Sequence, residues 1–90
     1  MDNKATVSIT YCTVCNFRGR AAWLAQELLA AHEQELVQVA LIPNEGGVFE
    51  VRINDDLVFS RRRDDRFPEP REVKDALREA LGLEAKPRHD

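Results

Sequence analysis

Cys12 and Cys15 are the only two cysteines of the chain, and two residues separate them. On the first turn of a helix that spacing brings two Cα atoms to about 5.5–6 Å, the separation a disulfide needs. The same location lowers a thiol pKa from its ordinary value near 8.5, because unpaired backbone N–H groups and the positive dipole end favour the thiolate. Such a pair can do thiol–disulfide exchange: a thiolate attacks a partner disulfide or sulfenic acid, and its neighbour resolves the mixed disulfide. Spacing by itself leaves two other readings open. One is half of a zinc site, which wants four N or S ligands. Here His32 and His89 lie far along the chain, so zinc would require a dimer. The other is two ordinary thiols packed as small hydrophobes, a reading weakened by the exposure expected of a strand-to-helix corner.

The elements around the pair follow from periodicity. Residues 6–10, Thr-Val-Ser-Ile-Thr, alternate as a strand with Val7 and Ile9 on one side. Phe17, Ala21, Leu24, Leu28 and Ala31, widened by Trp23 and Leu29, form an apolar stripe that predicts a helix from about residue 14 to residue 33. Residues 36–42 are a mostly apolar run, expected as a strand covered on both faces and ended by Pro43. Asn44-Glu45-Gly46-Gly47 reads as a turn. Residues 48–54 alternate, and after Asn54-Asp55-Asp56 the chain returns over 57–61 as the second arm of a hairpin.

Residues 61–70 are charged and Pro-punctuated and are expected to be a loop. Pro70 suits the first turn of a second helix, whose stripe is Val73, Ala76, Leu77, Ala80 and Leu81, with Gly82 as the left-handed residue after it. The order β-α-β-β-β-α predicts an α/β two-layer sandwich: a mixed four-stranded sheet with two helices. The cysteines fall where the first strand feeds the first helix. A Cys-x-x-Cys in that position of a βαβ unit reads as a thioredoxin-like redox site.

Composition bounds the rest. At 90 residues, 43 % hydrophobic and 32 % charged, the chain supports one small core. We expect a single domain over residues 1–82 and a frayed tail over 83–90. The net charge of −3, from 13 basic and 16 acidic residues, argues against non-specific nucleic-acid binding. No run approaches ~18 apolar residues, so no membrane span is expected, and without a signal-peptide pattern at residue 1 the expected location is cytoplasmic.

These pieces in order resemble the selenoprotein W-like proteins of the Rdx group. The resemblance rests on Tyr11-Cys12-x-x-Cys15 after the first strand and on Gly47-Val48-Phe49-Glu50-Val51, similar to that family's G-x-F-E-V. Leu57-Val58-Phe59-Ser60 running into Arg61-Arg62-Arg63, and the closing amphipathic helix, complete it. It covers about residues 5–82. It implies a thioredoxin-like fold and a thiol or selenol oxidoreductase role, with glutathione as the reductant or partner. Selenium-containing members carry selenocysteine at the position matching Cys15, where this chain has the less acidic sulfur. The intervening Thr13-Val14 also departs from the Gly-Pro of thioredoxin proper.

The attacking sulfur is contested. An N-cap position would make Cys12 the more exposed thiolate, whereas the resemblance points to Cys15 with Cys12 resolving. The resulting expectation is a thiol–disulfide oxidoreductase with catalytic Cys12 and Cys15 and no bound cofactor, reset by glutathione or a thioredoxin. Its substrates would be protein or small-molecule disulfides or peroxides, and the chain a monomer or weak homodimer. The rival is an interaction module that the pair merely switches, without turnover.

Other side chains invite weaker readings. Arg61, Arg62, Arg63 and Arg66 suit an anion such as a glutathione carboxylate or an acidic partner surface; as a solvated loop they would be balanced by Asp64 and Asp65. Tyr11 adjoins the site as a groove wall or as the end of the strand. An exposed Trp23 would mark a partner surface. His32, near the C-terminal end of its helix, suits the dipole there.

Overall fold

In the first strand, β1 (Ala5–Cys12), Ala5, Val7 and Ile9 are buried and the intervening Thr6, Ser8 and Thr10 are half-buried. That alternation gives one face to the core and leaves the other polar. The computed structural model describes residues 4–83, so the tail expected over 83–90 lies, beyond Leu83, outside the described residues. Helix α1 (Arg18–His32) buries Ala21, Leu24, Ala25 and Leu28 and packs on β1 and on β2 (Leu36–Asn44). A 3-10 turn, Glu33–Glu35, joins α1 to β2.

β2 runs parallel to β1, setting Val7 beside Val39 and Cys12 beside Asn44. On the other side of β1, β3 (Phe49–Ile53) pairs antiparallel, placing Tyr11 opposite Phe49, and β4 (Asp56–Ser60) pairs with β3. The sheet order is β2-β1-β3-β4. Helix α3 (Pro70–Ala80) lies beside α1 and against β3 and β4, so both long helices cover the same sheet face. Val73 and Leu77 carry its buried stripe. The expected mixed four-stranded α/β architecture is therefore present.

Four details differ from the sequence expectation. The first helix starts at Arg18 and not near residue 14, because Asn16 takes a left-handed φ of 63° that a right-handed helix cannot include. β2 is an edge strand and is not covered on both faces. At the sheet edge, Val37, Leu41 and Ile42 remain 63 %, 38 % and 42 % exposed. Pro43 lies inside β2 and does not end it; an edge strand tolerates the missing N–H. A third, short helix, α2 (Arg61–Asp64), occupies the start of the expected loop and stops where Asp65 turns left-handed at φ 54°.

Pro70 opens α3 as expected, and Gly82 follows it at φ 74°. Glu72 in the first turn accepts the Glu69 N–H at 2.7 Å and pairs with Arg66 through two contacts, one of 3.0 Å. The Arg66 hydrogen bond, with the Glu69 N–H adding to it, holds the Glu72 carboxyl below the usual glutamate range. A depressed folded-state pKa stabilises the fold above the unfolded-state value of about 4.3, and that contribution is lost as pH falls through the folded-state value. Glu72→Gln should therefore melt below wild type at neutral pH and converge with it in acid. Thermal melts between neutral and acidic pH check this; a constant gap at every pH would remove the effect.

Candidate redox site

Cys12 is the last residue of β1 and is fully buried. Its N–H donates to the Val48 carbonyl at 2.8 Å, which extends the β1–β3 pairing to the cysteine itself. Residues 13–16 then form an exposed turn carrying Cys15. Thr13 fastens the start of this turn to β2: its N–H and its Oγ1 both donate to the Asn44 carbonyl, at 3.0 and 3.3 Å. The Asn16 N–H donates to Thr13 O and the Phe17 N–H to Cys12 O, each at 3.3 Å, which folds the far end back over the cysteine.

Within this frame the two sulfurs are joined as a disulfide, with Cα atoms 5.4 Å apart. The expected separation is met, but by a turn and not by a helix. Neither cysteine lies on α1, whose N-cap position is Phe17. The N-cap argument that made Cys12 the more exposed thiol therefore fails. The strand end buries Cys12 and the turn presents Cys15. A partner can reach only Cys15 directly, while Cys12 stands behind it. Val14, between them, is 83 % exposed.

Three rings cluster around Phe17, the residue that follows the turn. Phe17, Phe49 and Phe67 meet edge-to-face, with centroids 4.8 Å apart for Phe17–Phe67, 5.3 Å for Phe49–Phe67 and 6.5 Å for Phe17–Phe49. The Arg61 guanidinium lies over Phe17 and Phe67 at 5.3 and 5.2 Å, and that of Arg20 over Phe67 at 4.1 Å. Sequence reasoning missed this cluster, because Phe17 and Phe67 are fifty positions apart and no local pattern joins them.

The arginine run proves divided. Arg63 pairs with Asp64 at 3.2 Å and Arg66 with Glu72, whereas Arg61 stacks on the rings. Arg62 reaches the Gly46 turn, where its Nη2 would lie 3.7 Å from a Cβ at Gly46. The balance expected from Asp64 and Asp65 thus holds for Arg63 and Asp64 only. Tyr11 is half-buried and packs against the core beside Phe49. Trp23 is 54 % exposed on α1, and with Arg20, Leu24, Phe49, Phe67 and Pro68 it lines a crevice of about 20 Å³. His32 is buried at the end of α1 with its Nδ1 3.5 Å from Glu35 Oε1. Among the described residues no three His, Cys, Asp or Glu side chains gather as metal ligands, and no helix is long and apolar enough to cross a membrane.

The comparisons with known proteins agree with this geometry. A solved selenoprotein W-related protein from Vibrio cholerae is 40 % identical, with a TM-score of 0.85 over 88 % of this chain and 99 % of that one. A solved protein from Bordetella parapertussis is 41 % identical, with a TM-score of 0.81 over 84 % of this chain and 96 % of that one. No curated protein matches the chain. The arrangement is the thioredoxin-like one that the resemblance implied, and the bonded Cys-x-x-Cys supports a redox function. Residues 6–79 match the model of the Rdx family, and the chain belongs to that family.

Proposed function

We propose that the chain is a thiol–disulfide oxidoreductase in which Cys15 attacks and Cys12 resolves. The observation that carries this is the unequal burial of a bonded pair, one sulfur enclosed at a strand end and the other on an exposed turn. In the reduced protein the Cys15 thiolate attacks one sulfur of a partner disulfide. A mixed disulfide forms and the partner's other sulfur leaves as a thiolate that takes up a proton. Cys12 gives up its proton and attacks Cys15 Sγ, breaking the mixed disulfide and releasing the second partner thiol. Two electrons and two protons have then passed to the partner, and the Cys12–Cys15 bond is the product. Two glutathione molecules, leaving as glutathione disulfide, or one thioredoxin dithiol, would reset the pair.

A redox titration in glutathione buffers, with free thiols alkylated and intact mass read, tests this. The expected result is a single two-electron transition at roughly −200 to −300 mV, the range of cytosolic dithiols and glutathione. Thiols that alkylate in every buffer, or glutathione adducts with no internal disulfide, would sink the dithiol mechanism. Turnover of a model disulfide with a recycling system separates an enzyme from a module that is oxidised once and stops.

A further inference from the structure

Positive charge around the redox turn is left without carboxylate partners among the described residues, in a chain whose net charge is −3. Of the arginines on this side, Arg63 and Arg66 have carboxylate partners. Arg18, Arg20, Arg61 and Arg62 make no ion pair among the described residues, although Glu45 lies within the turn that Arg62 reaches. Rings hold two of these four in place. Arg61 lies over Phe17 and Phe67, its Nε enclosed and without a hydrogen-bond partner, and Arg20 lies over Phe67. A guanidinium fixed on an aromatic face loses little further entropy when it meets an anion.

Arg62, Arg61 and Arg20 follow one another as a band, with Arg18 beside the redox turn in sequence. Arg62 stands at Gly46, two residues beyond the Asn44 carbonyl that fastens Thr13. Arg61 is next to it, on the ring two positions after Cys15. Arg20 continues onto α1, where it borders the same crevice as the exposed Trp23. Arg18 opens α1 three residues after Cys15.

The geometry points to this band as the docking surface for an acidic polypeptide segment that presents its disulfide to Cys15. The inference rests on the oxidoreductase function proposed above and adds the class of partner. Three features favour a polypeptide over a small carboxylate. The band runs from the 44–47 turn to the first turn of α1, its crevice of about 20 Å³ holds no more than a small group, and Val14 and Trp23 are exposed as apolar anchors. Asp or Glu side chains flanking the partner's disulfide would meet the arginines. Opposite charge of this kind raises encounter rates and discriminates partners.

The test separates docking from chemistry. Cysteine-free labelled peptides, matched except for Asp/Glu, Asn/Gln or Lys at the flanking positions, are titrated onto the full chain by fluorescence anisotropy. The acidic peptide should bind about tenfold tighter than the neutral one, as expected of a few exposed pairs acting together. That advantage should collapse when salt rises from about 0.1 M to 1 M and the Debye length falls from about 10 to 3 Å. Arg18→Gln combined with Arg62→Gln should remove most of it, while reaction of the reduced chain with a small neutral disulfide stays at the wild-type rate. Equal affinity for the three peptides in wild type, or an advantage insensitive to salt, overturns the inference. So does glutathione disulfide at equimolar concentration displacing the acidic peptide, because the site would then take small carboxylates. Failure of the neutral disulfide to react at all would instead sink the oxidoreductase function and leave the binding result standing.

Discussion

Replacing Cys12 by serine should leave a chain that attacks once and stops, whereas replacing Cys15 by serine should leave one that does not attack. In the Cys12→Ser chain the exposed Cys15 still meets a partner disulfide, but nothing stands behind it to release the mixed disulfide, so the adduct accumulates and turnover falls to background. In the Cys15→Ser chain the remaining thiol is enclosed at the end of β1, between the Asn44 end of β2 and Val48. Burial blocks the in-line approach that exchange requires. Both turnover and adduct should then be lost. Intact mass after reaction with a model disulfide reads the adducts, and circular dichroism shows that each chain is folded. Adduct formation by Cys15→Ser alone would reverse the roles assigned to the two sulfurs.

The second large effect concerns the ring cluster that Phe17 joins next to the turn. Phe49 is buried at the start of β3, opposite Tyr11 of β1, and its ring meets those of both Phe17 and Phe67. Phe49→Ala should destabilise the protein by about 3–5 kcal/mol, the transfer loss plus an unfilled cavity. For a domain of this kind, total stability is of the order of 5–15 kcal/mol, so this one ring accounts for a large share. Phe49→Leu keeps most of the volume and should cost under about 1.5 kcal/mol. Denaturant unfolding of the two variants checks the pair of values. A Phe49→Ala cost below about 1 kcal/mol would show that the site collapses around the missing ring.

The same packing links stability to chemistry. Phe17 donates its N–H to the Cys12 carbonyl and sets its ring against Phe49 and Phe67. The exposed turn is thus anchored to the core through Phe17, the residue that follows it, and through Thr13 to the end of β2. Exposure of Cys15 and order in its surroundings therefore coexist.

Much of this was legible in the residues alone. Alternation marked β1 and β3, the spacing of Val73, Ala76 and Leu77 marked α3, and Pro70 and Gly82 marked its ends. The element order and the Cys12–Cys15 pair with its flanking motifs then identified the family. These features are local: strand and helix periods, proline's missing N–H and glycine's left-handed φ act within a few residues. What depended on distant partners was not legible. The apolar run of β2 looked doubly covered, yet the strand order puts it at the sheet edge and both long helices cover one face only. The arginine run looked balanced by its neighbours, yet Glu72, Phe17, Phe67 and the Gly46 turn divided it. The roles of the two cysteines show the division most plainly. Their spacing permits a disulfide, but which sulfur is hidden depends on Val48 and Asn44, more than thirty residues away, closing around the end of β1.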